Sequence, residues 1–473
     1  MISFFDKPFV KELNNNWKFE YVVALLYVLF GFIGWYFSYT YSGICIIFIT
    51  IILLMVFNDF KYLLAAGLCI IFSYNGGYGS TEFPVEIASY AGCLIALIIL
   101  YTIFNFKKEA LKKPKSYIGI MILTMSCMLP IFWNNVITEE YKLMYFIYFS
   151  WLLYVVLYFI VGINIGKNSL RFLIFTFSFL SVLISLECVI TMLKMHKENP
   201  TWNMLAFAYS LGWGICNEAA ILICFFLPFA FYELIKSEDS IMSLAAVIKI
   251  MISIMGLFLT NSRGGQLFGI LEIVILLVLT AIKSKKRWTN LVFLGLLMAL
   301  GILFIHLKFD LTRIIEILKN VNISEKLDDN GRFDLYQRAF NLWNKNWVNR
   351  IFGSGIVSEI EVRMSYGKLG TIFTVYHSTF FETLVFGGAI GILALLFHFY
   401  EKYKQLYKKD ILFVFVMLTS YISVDIYGMF DNTYGMYYYM VPLVMIMAAL
   451  DTDKSVELFI NQPMDNEWFK YIY

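Results

Sequence analysis

Residues 244–282 read LAAVIKIMISIMGLFLT, then NSRGG, then QLFGILEIVILLVLTAI. Two apolar runs of membrane length flank a tight polar turn, with Arg263 at its tip. The pair reads as two transmembrane helices joined end to end. A guanidinium at bilayer depth costs about 2.5–3.5 kcal/mol even on the lenient insertion scale, and less near the interface. Two readings of Arg263 stand side by side. It is either a snorkelling interface residue or a charge kept to hold an anion, and phosphate is the best geometric match for its planar fork.

The rest of the chain is of the same kind. Apolar residues make up 60% and aromatics 19% of the sequence, with mean hydropathy +0.72. A soluble domain is about 45–50% apolar. Candidate spans lie near 21–38, 42–57, 61–73, 84–106, 117–133, 142–163, 169–193, 215–235, 243–260, 263–282, 288–306, 379–399, 411–427 and 436–450. The second and third are short, so twelve is the conservative count. The expected fold is all-α: one polytopic helical membrane domain over 1–473, with 12–14 transmembrane helices and one long, partly helical extracytoplasmic loop.

Charge orients the stack. The connectors KKEALKKPKS (107–116), KSKKR (283–287) and EKYKQLYKKD (401–410) are basic. SYNGGYGSTEF (73–83), NNVITEEY (134–141) and GMFDNTYG (428–435) hold no lysine or arginine. The basic connectors belong in the cytoplasm. With fourteen spans every connector takes its preferred side, both termini are cytoplasmic, and Arg263 faces outward. The segment MISFFDKPFVKELNNNWKFE has no compact apolar core before a small-residue cleavage site, so the first span is expected to act as the signal.

Several chemistries find no support. The net charge of +3 comes with no basic stripe, which argues against a nucleic-acid partner. There is no P-loop and no GxGxxG. The seven cysteines, at 45, 69, 93, 127, 188, 216 and 224, form no C-x-x-C pair and read as small buried hydrophobes. The four histidines, His196, His306, His377 and His398, show no metal spacing. No metal and no cofactor is expected.

The stretch 307–378 is long enough to build a site, and long loops are usually functional. DLTRIIEILKN (310–320) has helical spacing, and GRFDLYQRAFNLWNKNW (331–347) reads as a stronger helix. Phe333, Tyr336, Phe340, Trp343 and Trp347 line one face of it, as packing against the membrane domain or headgroups, or as a sugar platform. Arg338 lies one turn after Asp334, which supplies a local ion pair. Arg332 lacks such a partner and is the better ligand candidate. His377 closes the loop, as a structural hydrogen bonder or as a functional group. Thr379 and Glu382 read as a capping box opening the next span, which gives Glu382 a structural role beside a catalytic one. Asn217 and Glu218 open another span, where Asn217 is a candidate cap. Glu187, Glu218, Lys249, Glu272 and Asp425 are the intramembrane charges, functional candidates by default. Lys249 and Glu272 also read as a helix-to-helix pair.

In order, these features are Gly214, Asn217 and Ala220 opening a span; the turn Ser262-Arg263-Gly264; Gly331-Arg332 before an aromatic helix; Gly353-Ser354-Gly355; and His377 before a span carrying Glu382, Gly387, Gly388 and Gly391. Over roughly 210–450 this order resembles the O-antigen ligase and O-antigen polymerase superfamily. One departure is His377-Ser378, where the family commonly has His-Asn. The resemblance implies a metal-independent membrane glycosyltransferase. Its donor is an oligosaccharide on undecaprenyl diphosphate and its acceptor a glycan hydroxyl at the outer face of a bacterial cytoplasmic membrane. The family's two essential arginines map onto Arg263 and Arg332, and its essential histidine onto His377. Asn217, Ser262, Arg338 and Glu382 complete the candidate substrate-binding set. Two arginines suit a lipid diphosphate leaving group, and an imidazole suits removal of the acceptor proton. The implied partners are membrane lipid, a flippase and a chain-length regulator.

A polymerase of cell-surface polysaccharide (O-antigen, capsular or exopolysaccharide) is the preferred reading. A ligase transferring the glycan to lipid A core of lipopolysaccharide, or to another terminal acceptor, is the second. A transporter or flippase of the lipid-linked glycan is the third, and the absence of an internal hydropathy repeat speaks against it.

Overall fold

The computed structural model describes residues 8–37, 40–73, 85–112, 114–133, 142–166, 168–198, 209–309, 332–355, 360–365, 368–373, 376–407, 409–434, 436–452 and 458. The expected helix over 310–320, Gly331, connector 134–141 and all but the first residue of connector 73–83 lie outside these residues.

Long apolar stretches leave the backbone no solvent to bond, so they close their hydrogen bonds internally as helices. In chain order these are α1 (Pro8–Asn14), α2 (Trp17–Phe37), α3 (Thr40–Phe57), α4 (Lys61–Phe72), α5 (Val85–Asn105), α6 (Ile118–Met128), α7 (Lys142–Asn164), α8 (Ser169–Glu198), α9 (Cys216–Lys236), α10 (Ser240–Leu259), α11 (Arg263–Lys283) and α12 (Arg287–Phe309). The long loop then carries α13 (Arg332–Asn344), α14 (Trp347–Phe352) and strands β1 (Ile360–Ser365) and β2 (Lys368–Phe373). The chain returns through α15 (Thr379–Lys404), α16 (Ile411–Gly428) and α17 (Tyr437–Thr452). Helices α2–α12 and α15–α17 coincide with the spans read from hydropathy. Among the described residues, nine helices are long and apolar enough to cross a membrane, and five more are shorter apolar helices.

The protein is an all-α polytopic membrane protein. One small addition was not expected: β1 and β2 form an antiparallel hairpin, with Ile360 opposite Phe373 and Ser365 opposite Lys368. A second difference concerns 331–347, which is not one helix. It stops at Asn344, and Asn346 caps a new one by accepting from the Asn349 amide at 2.8 Å. Asparagine competes with helix for its own backbone, so Trp347 leaves the aromatic stripe and opens α14.

Helix α9 is the axis of the bundle. It is buried along nearly its whole length and packs against α8, α10, α11 and α16. Contacts between connectors define two ends. At one end Lys61 donates to the Asn14 carbonyl at 2.9 Å, and Ser116 and Lys115 amides reach Asp451 at 3.0 and 2.8 Å. The basic connectors lie here. At the other end Trp35 donates to the Leu211 carbonyl and Tyr209 to that of Leu259, each at 2.9 Å. Helix α11 has Arg263 at the second end and Lys283 at the first.

Buried charges pair across helices, because an unpaired charge in hydrocarbon is costly. Glu20 takes Lys61 at 2.8 Å and Arg171 at 2.5 Å. Lys402 takes Asp425 at 2.5 Å. Lys249 pairs with Glu233 of α9 and not with Glu272. The reason is packing: α10 lies along α9 at this level, whereas Glu272 is buried near Cys224 and Ser423. Glu187 accepts from the Trp213 indole at 2.7 Å.

The span read over 379–399 is not a continuous helix. Gly388 breaks it, with φ 62° and ψ −153°, into arms 379–387 and 389–404. The break frees two carbonyls. Val385 O accepts the Ser354 amide at 2.6 Å, and Phe386 O accepts that of Gly355 at 3.1 Å. A Cβ on Gly388 would fall 2.6 Å from both Gly353 N and Ile351 O. The glycines of GSG and of the span thus meet backbone to backbone. Gly388→Ala is therefore expected to cost about 1–3 kcal/mol from the backbone conformation alone, and more from the clash. Thermal unfolding and protease cleavage near 353–355 measure it. Gly295→Ala in α12, where a Cβ meets nothing within 4 Å, should leave both unchanged.

Candidate functional site

Three membrane helices, α9, α11 and α15, begin at the second end of the bundle, where α16 stops and the 429–436 connector starts. Their first turns carry the positive ends of the helix dipoles. Each such end contributes about 0.3–1 kcal/mol to a nearby anion, so their convergence is a ready anion site.

The NSRGG turn is tight because Asn261 adopts φ 58°, a left-handed conformation that asparagine tolerates. Ser262 then caps α11, accepting the Gly265 amide at 3.3 Å, and its hydroxyl meets that of Tyr427 at 2.7 Å. Gly264 abuts the Tyr427 ring and Gly265 abuts Ala220, so side chains there would push α11 off α16 and α9. Arg263 is exposed and makes no hydrogen bond or ion pair with any described residue.

Asn217 does not cap α9. The Glu218 carboxylate bonds the Ile215 amide and does that work. The Asn217 amide donates instead to Asp431 at 3.0 Å. Asp431, in the 429–436 connector, is the centre of the arrangement. Its Oδ2 also takes the Tyr427 hydroxyl at 3.4 Å and lies 3.8 Å from Nη2 of Arg332. Its Oδ1 takes the Asn432 amide at 2.8 Å and stands 3.4 Å from Nδ1 of His377. Arg332, first residue of α13, also donates to the Phe430 carbonyl at 2.6 Å.

His377 has φ 48°, an uncommon backbone state outside glycine and one that clusters at functional sites. Its carbonyl accepts the Tyr336 hydroxyl at 3.2 Å. Burial, opposed by the neighbouring Arg332 charge, raises the Tyr336 phenol above its ordinary range, so it stays a donor. The Tyr336 ring stacks on Phe381 at 4.5 Å. With Nδ1 facing Asp431, the His377 side chain remains 44% exposed, which leaves it open to a substrate.

The cap of α15 is Ser378, one residue earlier than expected. It accepts the Phe381 amide at 3.4 Å, while the Thr379 hydroxyl meets that of Thr433 at 3.0 Å. The expected Thr379–Glu382 capping box is thus replaced, because Thr379 is held by the connector. Glu382 is buried behind the cluster, near Asn432 and the Tyr376 backbone. Arg338 sits half-buried farther along α13. Of the aromatic stripe, Tyr336 packs on the membrane domain, while Phe333, Phe340 and Trp347 are exposed.

The structure therefore brings together Asn217, Ser262, Arg332 and His377, with Arg263 at the rim. Asp431 and Tyr427 were missed. The one available signal was an aspartate in a connector otherwise free of charge. Among the described residues no three His, Cys, Asp or Glu side chains group as metal ligands would.

Residues 248–396 match the family model described as O-antigen ligase. The match covers less than a third of the chain, and it is what that stretch is similar to. Members of this family are glycosyltransferase-like enzymes that act on lipid-linked sugars and acceptors. The matched range includes Arg263, Arg332 and His377, whereas Asn217 and Asp431 lie outside it. No curated protein and no solved structure matches the chain.

The contacts with the Phe430 carbonyl and Asp431 place Arg332 at the cluster. Arg332→Ala should lower product formation by about 10²–10³, at equal membrane level, and Arg338→Ala by at least about tenfold less. Glycan transfer by membranes of each variant is the measurement, and equal losses would contradict the assignment.

Proposed function

We propose that the protein is a polymerase of cell-surface polysaccharide, joining O-antigen, capsular or exopolysaccharide repeat units. The donor is a glycan on undecaprenyl diphosphate, and the acceptor is a sugar hydroxyl on another repeat unit. The reaction runs at the outer face of a bacterial cytoplasmic membrane. The observation that carries this reading is the pairing of His377 with Asp431 beside Arg263, Arg332 and converging helix N-termini. The side follows from the basic connectors at the opposite end of the bundle.

The Asp431 carboxylate favours the proton on Nδ1 and leaves Nε2 of His377 as the acceptor. Nε2 takes the hydroxyl proton as the acceptor oxygen closes on the anomeric carbon. The bond from that carbon to the diphosphate breaks, and its electron pair stays with the departing undecaprenyl diphosphate. Arg263 and Arg332 meet the charge that gathers there. Arg263, which has no partner among the described residues, engages without breaking any contact described there.

The fourteen apolar helices among the described residues and the His377-Ser378 pair favour polymerase over ligase. Membranes supplied with lipid-linked repeats, with and without a lipid A core acceptor, distinguish them. Lengthening without the core acceptor supports polymerase, and transfer only to the core supports ligase. Transport is disfavoured because Lys249 and Asp425 are locked in ion pairs.

Arg263→Ala should reduce turnover by about 10²–10³ while the protein still inserts. Arg263→Lys should restore little, since an ammonium lacks the bidentate fork. Product assays normalised to membrane level test both, and near-normal product from the alanine variant would sink the role.

His377→Gln should lose about 10²–10⁴ in turnover yet bind the donor, which the arginines hold. Donor binding and turnover on purified His377→Gln decide the matter; preserved turnover removes His377 from the mechanism.

A further inference from the structure

Below the site lies a charged cluster that the reaction does not use. Lys402, in the second arm of α15, is fully buried. Its ammonium donates to both carboxylate oxygens of Asp425, at 2.5 and 2.7 Å, and to the Tyr434 hydroxyl at 3.1 Å. Tyr403 adds a donor to Asp425 at 2.6 Å. The rings of Phe399, Tyr403, Tyr421 and Tyr434 surround the ammonium with centroids 4.9–5.7 Å away. Every donor of the lysine is engaged, and the charge is shielded by π faces.

A well-packed apolar pair is often at least as stable as a buried ion pair, so stability alone does not account for this one. What the charges add is a single register. Three segments meet here: the arm of α15, the end of α16, and the 429–436 connector through Tyr434. That connector also carries Asp431, three residues earlier. Its upper part is held to the start of α15, where the Thr379 amide donates to the Asp431 carbonyl and the Thr433 amide to the Thr379 hydroxyl, each at 3.2 Å. The two arms of the broken helix both meet the connector, the first through Thr379 and the later through Lys402.

We propose that Lys402, Asp425 and Tyr434 form a positioning clamp that holds the Asp431 connector in register with His377. The His377–Asp431 contact, at 3.4 Å, is near the outer limit of a hydrogen bond. A sub-ångström drift of the connector breaks it. Lys402, Asp425 and Tyr434 touch neither substrate nor the reacting atoms; they act through Asp431. The inference rests on the His377–Asp431 reading above.

The test uses the full chain in lipid nanodiscs. Tyr434→Phe removes one hydroxyl and keeps the ring, and the double variant Lys402→Met with Asp425→Leu removes the clamp without stranding a charge. Hydrogen exchange of the 429–436 backbone should rise about tenfold in both, with exchange in α9 unchanged. Turnover kcat should fall about tenfold or more, with the donor KM within about threefold of wild type. Unchanged exchange in 429–436 overturns the clamp, and so does wild-type kcat per folded molecule. If the double variant does not fold, Tyr434→Phe alone decides by the same two readings. The functional reading fails separately, if wild-type protein forms no glycosidic bond; the exchange measurement still decides the clamp.

Discussion

The Asp431 carboxylate is bonded from several elements at once, and the site takes its shape from that. Asn217 reaches it from α9, Tyr427 from α16, Arg332 from the loop helix and His377 from the entry to α15. Four segments far apart in sequence thereby agree on one geometry. A carboxylate in this position does two jobs that compete. It orients the imidazole, and it answers the positive charge of Arg332. At 3.8 Å the arginine contact is loose, which leaves the guanidinium available to a stronger anion such as a diphosphate. The alignment of the helix N-termini around it supplies positive potential without further side chains.

Much of this was legible from the sequence, and the limits have physical causes. Hydropathy located the fourteen apolar helices of the described residues because hydrocarbon imposes length and composition directly. The basic connectors located the two ends. Arg263, Arg332 and His377 could be singled out because charge or imidazole beside an apolar run is uncommon and their order matched a known pattern. Asp431 could not, because its partners come from other helices and no spacing along the chain announces them. Asn217 read equally well as a cap, and only the Glu218 contact with the Ile215 amide removes that alternative. The Lys249 partner was misread for the same reason: a sequence shows which charges are buried, and packing chooses the pairs.

The break in α15 was invisible for a different reason. Residues 379–404 have continuous hydropathy, and two adjacent glycines in a membrane helix are compatible with a straight span. The break is fixed by something outside the helix, the Gly353–Gly355 backbone, which takes up the carbonyls that the glycines release. Local propensity permits the kink and a distant segment selects it.

That same junction bears on how the protein can be re-engineered. The extramembrane loop shares main-chain hydrogen bonds with the interior of α15, so it is not a cassette resting on the bundle. A chimera that swaps 310–378 alone would leave the freed carbonyls of Val385 and Phe386 facing foreign backbone. The exchangeable unit therefore extends through Gly388, and loop and broken helix must be inherited as one block.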